Sequence, residues 1–253
     1  MAAEAVRSVQ DPAPRTLPGQ ENWWVQPVAV AVGFSLFVIY SAWSVAFSPH
    51  HSVGPYLSPF YSPVIPHSWW PFSAAWLVAW APLGFRASCY YYRKAYYRAF
   101  FWDPPACAIR EPAFRHKYRG ETRLPWILNN FHQFFLYLAV AVLGFLWYDT
   151  VNAFTYNGGY LGIGAVLMLA NVVLLTCYTF SCHALRHLVG GSVDCFSCAR
   201  FGKQRHGLWG LVSKINPYHG VFAWFSLVSV AVVDIYIRVV ANYFHCVGPH
   251  LGC

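Results

Sequence analysis

The chain has 253 residues, of which 57% are hydrophobic, 19% aromatic and only 10% charged. Soluble domains carry about 25% charged residues, so this composition, with a mean hydropathy of +0.38, excludes a disordered chain, a nucleic-acid reader and an ordinary soluble enzyme. Eight cysteines are too few for a disulfide-stapled scaffold of this length, and they have to be judged by position. The composition predicts an integral membrane protein.

In chain order, residues 1–24 read as a polar tail punctuated by Pro12, Pro14 and Pro18. Five runs are then apolar and long enough for a hydrocarbon core of about 30 Å, which takes about 20 helical residues. The first, Val25 to Phe47, carries no charge and is too long for the apolar part of a signal peptide. The second spans about Trp69 to Tyr92, with Arg86 near its end. A long basic connection follows, broken by Pro104, Pro105 and Pro112. It suits anionic headgroups, but Tyr96, Tyr97, Phe100, Phe101 and Trp102 also give it the aromatic and Arg content of a protein interface.

The third run extends from Trp126 to Tyr148, the fourth from Leu161 to His187 and the fifth from His219 to Asn242. Asp234 and Arg238 in the fifth are four residues apart, the spacing of an intrahelical ion pair. No convincing internal repeat appears. The expected fold is all-α: an integral membrane bundle of five transmembrane helices occupying residues 25–253. Sixteen of the seventeen Lys and Arg residues fall on one side, two in the N-terminal tail, nine from Arg86 to Arg123 and five from Arg186 to Lys214, with Arg238 inside the fifth run. Positive residues stay inside, which predicts a cytoplasmic N-terminus and an outside C-terminus.

The densest group of chemically versatile residues lies between Ser181 and Cys198. His183 and His187, four apart, share one helical face and can reach a common metal. Gly190 and Gly191 let the chain turn, and Cys195 and Cys198 follow at the C-x-x-C spacing that pinches a metal ion. A disulfide is not expected on the reducing cytoplasmic side. Structural Zn²⁺, a Rieske-type [2Fe–2S] centre with two Cys and two His, and a single haem b on the cytoplasmic side all remain open from these residues.

A second polar group opens the third run. Trp126, Asn129 and His132, with His219 at the same depth, offer donors for the head of a membrane quinone or for interhelical hydrogen bonds. Cys246 and Cys253 receive no role.

This layout resembles the membrane anchor of succinate dehydrogenase, respiratory complex II. The Cys182-His183-x-x-x-His187 and Cys195-x-x-Cys198 stretch is similar to actinobacterial anchors that lack haem and hold a Rieske-type cluster in the membrane region. The resemblance implies that His183 and His187 bind one iron and Cys195 and Cys198 the other, with Cys177, Cys182 or His132 as substitutes. It also implies flavoprotein and iron–sulfur subunits docked on the cytoplasmic face, dicarboxylate chemistry on a partner subunit, menaquinone or ubiquinone as acceptor, and a multi-pass location in the bacterial cell membrane. Association of such complexes into a higher oligomer is compatible with it.

Overall fold

The computed structural model of the protein describes residues 22–47, 51–65, 72–105, 126–156 and 162–243. Most of the N-terminal tail, the distal part of the basic connection, and Cys246 and Cys253 lie outside the described residues. The chain divides into two compact units, one of residues 1–34 and 94–119, the other of residues 35–93 and 120–253. In the smaller unit, the aromatic rings of the basic connection pack on one another: Tyr96 and Tyr97 lie 5.1 Å apart, and Tyr97 and Phe101 6.0 Å apart, edge to face. The Asp103 N–H donates to the Tyr97 carbonyl at 3.3 Å.

Helices account for nearly all the regular structure: α1 (Val25–Phe47), α2 (Ala75–Ser88), α3 (Tyr90–Phe101), α4 (His132–Thr155), α5 (Ile163–Phe180), α6 (His183–Arg186), α7 (Gly202–Ile215) and α8 (His219–Tyr243). Strands β1 (Ser52–Val53) and β2 (Tyr56–Leu57) form a small antiparallel hairpin between α1 and α2. By length and composition, four helical stretches among the described residues could cross a membrane: Val25–Phe47, Asn129–Thr155, Ile163–Phe180 and Gly202–Asn242. The last includes α7 and α8, joined by a single 3₁₀ turn at Asn216–Tyr218.

The expected second span, residues 69–92, is not one continuous helix. α2 has 14 residues with Pro82 inside it. At a rise of about 1.5 Å per residue it falls short of a full crossing. It stops because Cys89 adopts an extended backbone (φ −65°, ψ 128°) before α3 begins. The fourth expected span is likewise interrupted. α5 ends at Phe180, and Cys182, also extended, caps the short α6 by accepting from the Ala184 N–H. The third span starts in a 3₁₀ segment at Trp126–Phe131 and continues seven residues past its expected end, to Thr155.

In the larger unit α5 packs on α8 and on α4, and α4 packs on α2. Tyr56 of the hairpin is buried among Ala153, Ala165, Met168, Val233 and Ile237, fixing one end of the bundle. Gly164 is required there, because a Cβ would come within 2.7 Å of the Tyr56 ring. Side-chain hydrogen bonds tie the helices where hydrophobic burial gives no preference between protein and lipid: Trp147 Nε1 donates to Thr176 Oγ1 at 3.0 Å, and Ser229 Oγ to Asn171 Oδ1 at 2.8 Å.

Candidate functional site

The two helix breaks carry the same pattern of residues. Phe85-Arg86-Ala87-Ser88-Cys89 ends α2, and Tyr178-Thr179-Phe180-Ser181-Cys182 ends α5. Each is an aromatic residue, two intervening residues, then Ser-Cys. The helices that start at this end of the bundle, α4 and α8, each begin with a histidine, His132 and His219.

These elements meet in a crossed arrangement. His132 Nδ1 lies 2.9 Å from Ser88 Oγ, and its Nε2 lies 3.1 Å from Cys182 Sγ. His219 Nδ1 lies 2.9 Å from Ser181 Oγ, and its Nε2 lies 3.4 Å from Cys89 Sγ. Each ring also stacks on the aromatic of the serine it touches, Phe85 on His132 at 4.6 Å and Tyr178 on His219 at 4.9 Å. Cys89 and Cys182 are buried at 3% and 1% exposure, and neither is in a disulfide.

The hydrogen-bond network assigns the tautomers. Ser88 Oγ donates its proton to the Gly84 carbonyl at 2.6 Å, and Ser181 Oγ donates to the Tyr178 carbonyl at 3.2 Å. Each serine oxygen therefore accepts from the imidazole Nδ1–H. Both Nε2 atoms are left as acceptors, each facing a thiol. The close approach of α2 and α4 depends on Gly84, where a Cβ would come within 2.1 Å of the Phe135 ring.

The residues singled out from sequence are placed differently. His183 and His187 are exposed, in α6 and at the start of a π-type turn, His187–Gly191. Cys195 and Cys198 are joined in a disulfide, against the expectation of free thiols. That loop is held by Phe196, whose ring packs on His206 at 5.1 Å and Trp209 at 6.3 Å. His183 and His187 still share one helical stretch, α6 running into the π-type turn, but the Cys pair is not gathered with them. Among the described residues, no group of three or more His, Cys, Asp or Glu side chains is arranged to hold one metal ion.

Of the quinone candidates, His132 and His219 are engaged at both ring nitrogens. Asn129 is half-buried in the 3₁₀ segment, and the Trp126 side chain lies outside the described residues. Cys177, named as a substitute ligand, is half-buried on α5. Cys182, the other named thiol, is in the site. Sequence reasoning missed Cys89 altogether, although the repeated aromatic-x-x-Ser-Cys pentad could have found it.

The fold and this site define a class: a multi-helix membrane subunit with a buried set of two thiols and two imidazoles at one end of its bundle. No curated protein matches the chain. Residues 25–243 match the model of the actinobacterial succinate dehydrogenase subunit SdhC, and the chain belongs to that family. It is also similar to a chain of the Mycobacterium smegmatis Sdh1 complex in the apo form, with 37% identity over 93% of this chain and 94% of that one and a TM-score of 0.81. It is therefore a membrane subunit of succinate dehydrogenase.

Proposed function

We propose that this subunit carries electrons as well as anchoring the complex: a Rieske-type [2Fe–2S] cluster held by Cys89, Cys182, His132 and His219 relays electrons from partner subunits to a membrane quinone. The observation that supports this reading is the crossed pairing of two buried thiols with two imidazoles, each presenting an unprotonated Nε2 to sulfur. The donor set fits the group in kind and number, two Cys and two His. In a Rieske-type centre two Cys hold one iron and two His the other, so Cys89 and Cys182 would share one iron and His132 and His219 the second. Bound there, such a unit supplies one-electron chemistry between about −150 and +300 mV, against about −400 mV for an all-Cys plant-type centre.

The chain's own residues do the rest. Ser88 and Ser181 hold the imidazoles in one tautomer and orientation, as partners on the second nitrogen of a ligand histidine commonly do. Phe85 and Tyr178 cover the rings and exclude water. The dicarboxylate chemistry belongs to flavoprotein and iron–sulfur subunits docked on the cytoplasmic face. Menaquinone or ubiquinone is the acceptor, with Asn129 and Trp126, which precede His132 in sequence, as candidate polar contacts. The topology that goes with this function has five crossings, the second made by the broken α2–α3 segment, with the N-terminus cytoplasmic and the C-terminus outside, in the bacterial cell membrane.

The test is iron and acid-labile sulfide analysis, with EPR of the dithionite-reduced purified complex. The wild-type complex is expected to give a Rieske-like signal that Cys89→Ala and Cys182→Ala abolish and His183→Ala with His187→Ala retains. The reverse pattern would move the ligands to the His183, His187, Cys195 and Cys198 set. Zinc alone, or a Soret band without a Rieske-like signal, would overturn the reading.

A further inference from the structure

Arg86 sits in the last turn of α2, three residues before Cys89, whose N–H donates to the Arg86 carbonyl at 3.2 Å. Its partly buried guanidinium donates to the Tyr92 hydroxyl, to the Ala223 carbonyl at 3.2 Å and to Ser226 Oγ at 3.0 Å. It also lies 4.7 Å over the Tyr178 ring and 5.5 Å over the Tyr92 ring. Tyr178 in turn stacks on His219, so the cation is one ring away from the thiol–imidazole set. Each of these partners is neutral, and among the described residues no carboxylate pairs with Arg86. A cation at membrane depth without a counter-charge is costly and is kept for a reason.

We infer that Arg86 is the built-in counter-charge of the redox centre proposed above, a positioning residue that raises its potential by stabilising the reduced state. The inference rests on that reading of the site. Adding one electron to a [2Fe–2S]²⁺ core held by two thiolates and two neutral imidazoles takes the net charge from zero to minus one without moving a proton. The electron comes from a reduced iron–sulfur centre of a partner subunit and leaves to the quinone. A fixed positive charge beside this set stabilises the reduced state, and in a low-dielectric site that attraction is strong. Tyr178 and Tyr92 hold the guanidinium in place, and their faces compensate it only weakly.

An EPR-monitored redox titration of the purified complex tests this. Arg86→Gln keeps hydrogen-bonding donors but removes the charge. It is expected to disfavour reduction about tenfold, which is 59 mV for a one-electron couple. Arg86→Lys keeps the charge and is expected to stay within about threefold of wild type. A wild-type potential in Arg86→Gln would overturn the inference, as would an Arg86→Lys potential falling as far as that of Arg86→Gln. If Arg86→Gln does not retain iron, Arg86→Lys decides: retained iron at near wild-type potential supports the charge role, and lost iron makes the guanidinium a structural group. Absence of iron from the wild-type complex is a different result, which overturns the underlying reading of the site.

Discussion

Two buried polar groups lie at opposite ends of the larger unit, and they are built on different principles. At the end carrying the hairpin, Asp234 is fully buried on α8 and accepts from Arg238 Nε at 2.7 Å, Ser44 Oγ at 3.0 Å, and the hydroxyls of Tyr40 and Ser58. Arg238 Nη2 donates to Ser44 Oγ at 2.6 Å, and its guanidinium lies 5.6 Å over the Trp43 ring. Both oxygens of the carboxylate are engaged, and the two charges cancel. At the other end, two thiols face two imidazoles beside an arginine with no carboxylate partner among the described residues. The closed group joins α1, the hairpin segment and α8 and is complete by itself. The other combines sulfur and imidazole donors with a guanidinium that meets no carboxylate among the described residues, the form expected of the proposed cluster site.

Substitutions sharpen this contrast, beginning with the largest expected effect. Asp234→Ala removes the carboxylate that the buried Arg238 faces and should cost about 3–5 kcal/mol, read by thermal unfolding in detergent. Adding Arg238→Met should recover most of that loss. No recovery would mean that the pair contributes stability beyond its own compensation. Ser88→Ala frees the His132 Nδ1–H and should weaken retention of bound iron about 10–100-fold, measured by challenge with a chelator. Stability should change far less than with Asp234→Ala. Unchanged iron retention in Ser88→Ala would show that the serine merely fills space. Cys195→Ser with Cys198→Ser, which opens only a short loop, should cost no more than about 2 kcal/mol and leave the EPR signal intact. Loss of the signal in that double variant would place the redox chemistry in the loop.

Much of the architecture was legible in the chain itself. The apolar runs gave the positions of α1, α4, α5 and α8 to within a few residues at most ends, and the i,i+4 spacing of Asp234 and Arg238 gave their ion pair. The hydroxyl cage around that pair was not legible, because Tyr40, Ser44 and Ser58 lie 176 to 194 residues away in sequence. The densest local cluster of His and Cys drew attention to residues 183–198, since ligand spacing within one loop is visible without a fold. The structure joins its two cysteines to each other and leaves its two histidines exposed. The buried set brings together residues separated by 50 and by 130 positions. Its only local trace is a pentad, aromatic-x-x-Ser-Cys, that occurs twice.

The sequence by itself determined that this is a helical membrane protein, because hydropathy and charge bias are summed over short stretches of contiguous chain. Only the tertiary structure decided which thiol meets which imidazole. Antiparallel packing brings the ends of α2 and α5 against the starts of α4 and α8, and the two helix breaks turn Cys89 and Cys182 each toward the other helix pair's histidine. A contact of that kind depends on helix packing and backbone breaks, and neither can be read from residue spacing.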